Sequence, residues 1–171
     1  VYFEQILKKK FKIIKKEDPI YFLKSIKNKI EIDNMINAHL IDGVALTKFI
    51  YWFKNKKKLD ITEVDAQNKL ENFRKQNSNY LFPSFDTIAG SGKNGAIVHY
   101  RATKNNKKIL KKNELFLCDS GGQYKFGTTD VTRTICFKNQ NKEIKNIFTN
   151  VLKGHIAVVN TDLHKKKTGR L

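Results

Sequence analysis

"LFLCDSGGQYKFGTTDVTRTICF", Leu115 to Phe137, reads as a strand, a glycine-rich turn and a second strand. Each strand carries an aspartate among apolar neighbours, Asp119 in the first and Asp130 in the second. With the simplest two-residue turn, centred on Tyr124-Lys125, the two aspartates fall directly opposite one another. Opposed residues share a face of the sheet, with Cβ atoms about 4.5–5.5 Å apart. Two carboxylates at that distance repel, which disfavours ionising both. A dication removes the conflict, because carboxylates are hard oxygen ligands for ions such as Mn²⁺ or Mg²⁺. A pair of ions spaced about 3.5–4 Å would fit beside such residues. Gly121 and Gly122 permit a bulge that would change this register. The plainer alternative is that aspartate flanks turns routinely and bonds to the backbone.

The surroundings favour chemistry. Asp119 follows the apolar run Leu115-Phe116-Leu117-Cys118, at the inner end of a buried strand, where an unpaired carboxylate is costly. Thr132 and Thr134 continue the face of Asp130 and offer hydroxyls that could orient ligand carboxylates.

Around this hairpin the order of elements is α+β. Residues 1–18 are assigned to the end of a preceding domain or a linker, with Asp18-Pro19 as a turn. From Glu31 to about Asn55, Ile32, Met35, Ile36, Leu40, Val44, Phe49, Ile50 and Phe53 recur at helical spacing. A second helix starts at Thr62, a good N-cap, with Glu63 and Asp65 complementing the helix dipole. Extended pieces are expected around Phe85–Ile88 and Ala96–Tyr100, separated by the turn "GSGKNG". That turn lacks the terminal Gly-Lys-Ser/Thr order of a phosphate loop. A last helix carries Ile144, Ile147, Phe148, Val151, His155 and Val158 along one stripe.

The formal charge of +18 points first to nucleic acid. Yet only Arg74, Arg101, Arg133 and Arg170 among the 34 basic residues are arginines, the fork that base and phosphate readers favour. The lysines are dispersed, which reads as a solvated surface. No apolar run approaches the ~20 residues of a membrane helix, so a soluble chain is expected. Cys118 and Cys136 fall on opposite faces of the hairpin, out of bridging geometry, and free thiols fit a cytoplasmic location.

The string "DSGGQYKFGTTDVTRT" closely resembles the metal-binding segment of aminopeptidase P, the Xaa-Pro aminopeptidases of the pita-bread metallopeptidase superfamily. The likeness extends through "FPSFDTIAGSGKNGAIVHYRAT", "MINAHLIDGVALTKFIYWF" and "VLKGHIAV", covering roughly Pro19 to Asp162. It implies the first half of a pita-bread fold over 19–171, with helices packed on an antiparallel sheet. By the same resemblance, Asp119 is a carboxylate on one metal, Asp130 bridges two, and His99 lines the substrate site. The ions, usually manganese in the family, activate water to attack an N-terminal Xaa-Pro bond, so peptides with proline at the second position are the implied substrates.

From the residues alone, His99 reads as a hydrogen-bonded histidine ending a strand. His39 and His155 read as packing or helix-surface residues, and His164 carries no signal. The family's remaining ligands, one His and two Glu, come from a later half of the domain, and no such motifs occur here. The expectation is therefore an incomplete fragment, inactive without a complementing C-terminal half. The competing reading is a pita-bread module without catalysis that binds protein or nucleic acid.

Overall fold

The computed structural model describes residues 2–56 and 60–162; His164 and the lysine-rich tail lie outside them. Residues Tyr2–Leu7 form a short exposed helix, α1. The Asp18-Pro19 pair starts a helix instead of a turn. Asp18 accepts the Ile20 N–H at 2.9 Å, and Pro19 occupies the first turn of α2 (Pro19–Ser25), where its missing N–H costs nothing.

Helix α3 (Lys29–Lys54) matches the expected span. Asn28 accepts the Glu31 N–H and Glu31 returns a bond to the Asn28 N–H, so the two satisfy two of the N–H groups a helix start leaves free. The buried face differs from the expected one. Ala38, Asp42, Ala45, Leu46, Phe49 and Phe53 form the inner seam, whereas Ile32, Met35, Ile36, Leu40 and Val44 are exposed. A charged residue at helical spacing with small alanines is easily passed over by a search for large apolar groups. Helix α4 (Glu63–Arg74) begins at Thr62 as read, with a reciprocal bond pair between Thr62 and Asp65.

The strands form two three-stranded antiparallel sheets. One has the order β2 (Ile88–Ser91), β3 (Leu115–Ser120), β6 (Val131–Cys136); the other runs β1 (Tyr80–Pro83), β4 (Gly122–Tyr124), β5 (Gly127–Thr128). The opening hairpin thus passes through both: β3 and β6 are its arms in the first sheet, β4 and β5 its tip in the second. The α3–α4 pair packs on one face of the first sheet. Leu46, Phe49, Phe53, Leu70, Phe116 and Ile135 make the core there, and Phe53 stacks on Phe116 at 4.7 Å and on Phe137 at 4.2 Å between ring centroids.

Two expected extended segments move. The first lies on either side of Phe85, as β1 and β2. The second, Ala96–Tyr100, is not a strand: Gly92–Ala96 is a 3-10 turn running into a loop. The glycines explain it, since a Cβ on Gly90 would sit 2.8 Å from the Gly95 backbone, so the chain folds back on itself there. Helix α5 (Lys142–Val159) forms as read, but no residue of it is buried. Its stripe and the outer sheet face, including Leu115 and Thr134, line an open groove of about 1120 Å³.

Candidate metal centre

Asp119 sits near the end of β3 on the face turned away from α3 and α4. Its strand neighbours Phe116, Cys118 and Ser120 point into the core, while Leu115, Leu117 and Asp119 alternate outward and are half-buried. The pairing partner of Asp119 is Thr132, not Asp130. The expected opposition of the two aspartates is therefore corrected by a register shift of two residues.

The cause is Tyr124. Its ring is fully buried, and its hydroxyl donates to Asp42 at 2.8 Å, so Tyr124 is a strand residue. It pairs with Gly127, which moves the turn to Lys125-Phe126. Asp130 then falls two positions before Thr132, exposed, immediately ahead of β6. That places it diagonal to Asp119, not across from it; in a regular ladder diagonal neighbours stand about 7–8 Å apart.

Around the aspartates the backbone is tightly specified. The Thr132 hydroxyl donates to Asp119 Oδ1 at 2.7 Å, the orienting role its position suggested. Thr134 pairs instead with Leu117. At Gly121 an added Cβ would overlap the Thr129 carbonyl and the Ser84 hydroxyl, so only glycine fits where the hairpin arms cross between sheets. Thr129 is fully buried; its N–H donates to Gly122 O at 2.9 Å and its carbonyl accepts from Ser84 Oγ at 2.8 Å.

Beneath this surface lies a buried ion pair the sequence reading missed. Arg74 Nε donates to Asp42 Oδ1 at 2.6 Å and Nη2 to Oδ2 at 3.1 Å, in a bidentate fork. Nη2 also reaches Ser120 Oγ at 3.1 Å, while the Thr129 hydroxyl accepts the Gly122 N–H at 2.9 Å. Ser120 is the chain neighbour of Asp119, and Thr129 that of Asp130. The fork thus anchors the residue beside Asp119. Burial alone would raise the Asp42 pKa, but the bonds and charge of Arg74, with Tyr124 and Thr129, carry it below the ordinary carboxylate value. The available signal was Asp42 itself, spaced four from Ala38 and three and four from Ala45 and Leu46.

His99 does not end a strand. It lies in the loop after the 3-10 turn, exposed, with φ of 55°, and is the one non-glycine residue with positive φ among those described. His39 is on the exposed side of α3, its ring nitrogen bonded to Met35 O at 2.9 Å. His155 lines the open groove on α5. Cys118 and Cys136 are both free, and burial pushes the Cys118 thiol up to about 11. Cys118 pairs with Arg133 and Cys136 with Leu115, which puts the thiols on opposite faces.

The donor chemistry at Asp119 and Asp130 suits hard divalent cations. Among the described residues no group of three or more His, Cys, Asp or Glu side chains comes together to hold one. Two carboxylates are a partial ligand set.

The profile of metallopeptidase family M24 matches residues 33–169. The chain belongs to this family. Among curated relatives, the probable Xaa-Pro aminopeptidase P of Paracoccidioides brasiliensis is 43% identical over 161 residues, covering 92% of this chain and 26% of the relative. The crystal structure of a Caenorhabditis elegans X-prolyl aminopeptidase, described as cytosolic with a di-nuclear active site, is 36% identical. It superposes with a TM-score of 0.63 over 68% of this chain and 20% of that one. A Thermotoga maritima X-Pro aminopeptidase superposes at 0.70 with 23% identity, over 88% and 41% of the two chains, a likeness of fold.

The M24 chain is thus a partial pita-bread architecture, similar in sequence to curated Xaa-Pro aminopeptidases. It spans about a quarter of the length of the curated relatives it matches. None of its helices, among the described residues, is long and apolar enough to cross a membrane.

Proposed function

We propose that this chain forms the first portion of the catalytic domain of an Xaa-Pro aminopeptidase, with Asp119 and Asp130 as its contribution to a two-metal centre. The observation that carries the reading is Asp119, an outward carboxylate at the end of a core strand, held by Thr132 within a chain 43% identical to an aminopeptidase P relative. The substrates are peptides with proline at the second position, the preferred ion is manganese, and the location is cytoplasmic. Residues 1–18 lead into the domain from a preceding segment.

Two divalent ions, when bound, would supply Lewis-acid activation of water and of the scissile carbonyl. The chain's own residues do the rest of what is proposed here. Asp119 gives one oxygen to the Thr132 hydroxyl and keeps the other for a cation. Asp130, exposed and diagonal to it, adds a second carboxylate, and the buried fork of Arg74 and Asp42 holds Ser120 beside Asp119. His99 contacts the bound peptide. The other ligands come from a complementing C-terminal half, without which the chain does not turn over peptide.

Manganese titration followed by paramagnetic broadening tests the metal assignment. Resonances near Asp119 and Asp130 should broaden first, and Asp119→Asn or Asp130→Asn should abolish the effect. Thr132→Val should weaken it roughly tenfold, as for a residue that orients a ligand. Broadening indifferent to both Asn variants would reject the site. Cleavage of an Xaa-Pro peptide by the chain mixed with the C-terminal half of a relative, and not by the chain alone, is the corresponding test of activity.

A further inference from the structure

Glu63 is a carboxylate without accessible surface in the first turn of α4. Among the described residues it forms no salt bridge. Four other parts of the chain converge on it instead. The Ser91 N–H donates to Oε1 at 2.7 Å, and the Asn94 amide donates to Oε1 at 3.0 Å and Oε2 at 3.3 Å. The Tyr100 hydroxyl donates to Oε2 at 2.8 Å and the Lys108 N–H to the same oxygen at 3.0 Å. The Glu63 N–H returns a bond to the Lys108 carbonyl at 3.0 Å, so backbone and side chain hold the same strand of loop.

Asn94 and Tyr100 bracket the five residues from Gly95 to His99, and their side chains also bond to each other, Asn94 Nδ2 to Tyr100 Oη at 2.9 Å. Within the bracket the Ile97 N–H donates to Asn94 O and the Tyr100 N–H to Ile97 O, both at 3.2 Å. The last position before the clasp closes is His99, at φ 55°. A left-handed backbone costs energy for any residue with a Cβ, and such positions persist where surroundings over-determine them. Here the surroundings are the two ends of a short loop fastened to one buried carboxylate.

We propose that Glu63 is a positioning residue: it clasps the 91–108 loop at both ends and thereby holds His99 in its left-handed pose. The clasp is independent of what His99 does, while its bearing on peptide binding rests on the role proposed for His99 above. A second carboxylate braces the same loop from outside, since Glu114 accepts from Lys108 Nζ at 2.6 Å and from Ser91 Oγ at 3.1 Å. It touches neither Asn94 nor Tyr100 in these bonds, so it does not substitute for Glu63 at the His99 bracket.

The test compares amide hydrogen exchange and His99 ring resonances in the 171-residue chain, Glu63→Gln, Tyr100→Phe and the control Glu71→Gln. Glu71 lies on the same helix and accepts the Tyr80 hydroxyl, away from the loop. Glu63→Gln replaces one acceptor oxygen by a donor that faces donors. Ile97 and Tyr100 amides should exchange at least about tenfold faster, the scale of losing bonds to a charged group. His99 ring signals should move toward free-histidine positions, while the Phe116 and Cys118 amides of β3 keep their protection. Tyr100→Phe removes one donor and should show the same pattern at smaller amplitude, which decides the matter if Glu63→Gln fails to fold. Glu71→Gln should leave the loop and His99 unchanged. Exchange at Ile97 and Tyr100 that stays constant, or that rises only together with β3, overturns the clasp.

Discussion

Arg74 and Asp42 meet in a two-pronged contact of 2.6 and 3.1 Å where neither side chain is more than 1% exposed. Breaking such a pair from one side leaves an uncompensated buried charge, which costs about 3–5 kcal/mol. Arg74→Met should therefore lower unfolding stability by that amount in urea titrations. The double variant Asp42→Leu/Arg74→Met should recover a large part, short of the whole because the Tyr124 hydroxyl loses its acceptor. A double variant as damaged as the single one would mean that packing, not charge, sets the cost.

The same pair gives a pH dependence with a definite sign. The folded-state pKa of Asp42 lies below its unfolded value, because Arg74 and the hydroxyls of Tyr124 and Thr129 outweigh desolvation. Its contribution to stability is present in full above the unfolded value of about 3.9 and is lost as pH falls through the depressed folded value. Unfolding free energy measured by urea titration should decline below about pH 4. In Asp42→Leu/Arg74→Met that decline should be shallower. An equal slope in both proteins would assign acid sensitivity to other carboxylates, such as Asp65 in its capping bonds with Thr62.

What was readable in the sequence follows the range of the interactions involved. The helix start at Thr62 depends on residues three apart and is visible locally, whereas the first long helix is read from apolar spacing at Glu31, two residues inside its start at Lys29. The strands flanking the glycines were visible locally too. The register was not, because it is set by Tyr124 reaching Asp42, 82 positions away in sequence. Nor was the inner seam of α3, whose polarity makes sense only once Arg74 is known to close on it. The strand expected at Ala96–Tyr100 failed for a related reason: "AIVHY" has strand composition, but Glu63 gathers its flanks into a loop. Thr132, read as continuing the face of Asp130, takes the position opposite Asp119.

Two glycines should respond to alanine with opposite signs. Gly43 lies within α3, and a Cβ there meets nothing within 4 Å. Gly43→Ala should stabilise by about 0.5–1 kcal/mol, from helix propensity and a less flexible unfolded chain. Gly121→Ala drives a methyl into the Thr129 carbonyl and the Ser84 hydroxyl, and should cost at least about 1–3 kcal/mol. Thermal melts of the two variants should bracket the parent. A Gly121→Ala protein as stable as the parent would show that the strand crossing beside Asp119 is looser than its contacts indicate.

His99 offers a separation of stability from function. At φ 55° a β-branched residue is strongly disfavoured and glycine is at ease. His99→Val should therefore lose about 1–2 kcal/mol, the penalty of left-handed backbone for a residue with a Cβ. His99→Gly should fold at least as stably as the parent, since the side chain is exposed and glycine adopts this backbone without strain. The role proposed for His99 resides in its ring, which glycine lacks. In the chain mixed with the C-terminal half of a relative, His99→Gly should then weaken peptide binding while leaving manganese affinity and melting temperature in place. Loss of stability in His99→Gly equal to that in His99→Val would instead make the imidazole a structural group, and the strain at this loop would have no functional reading.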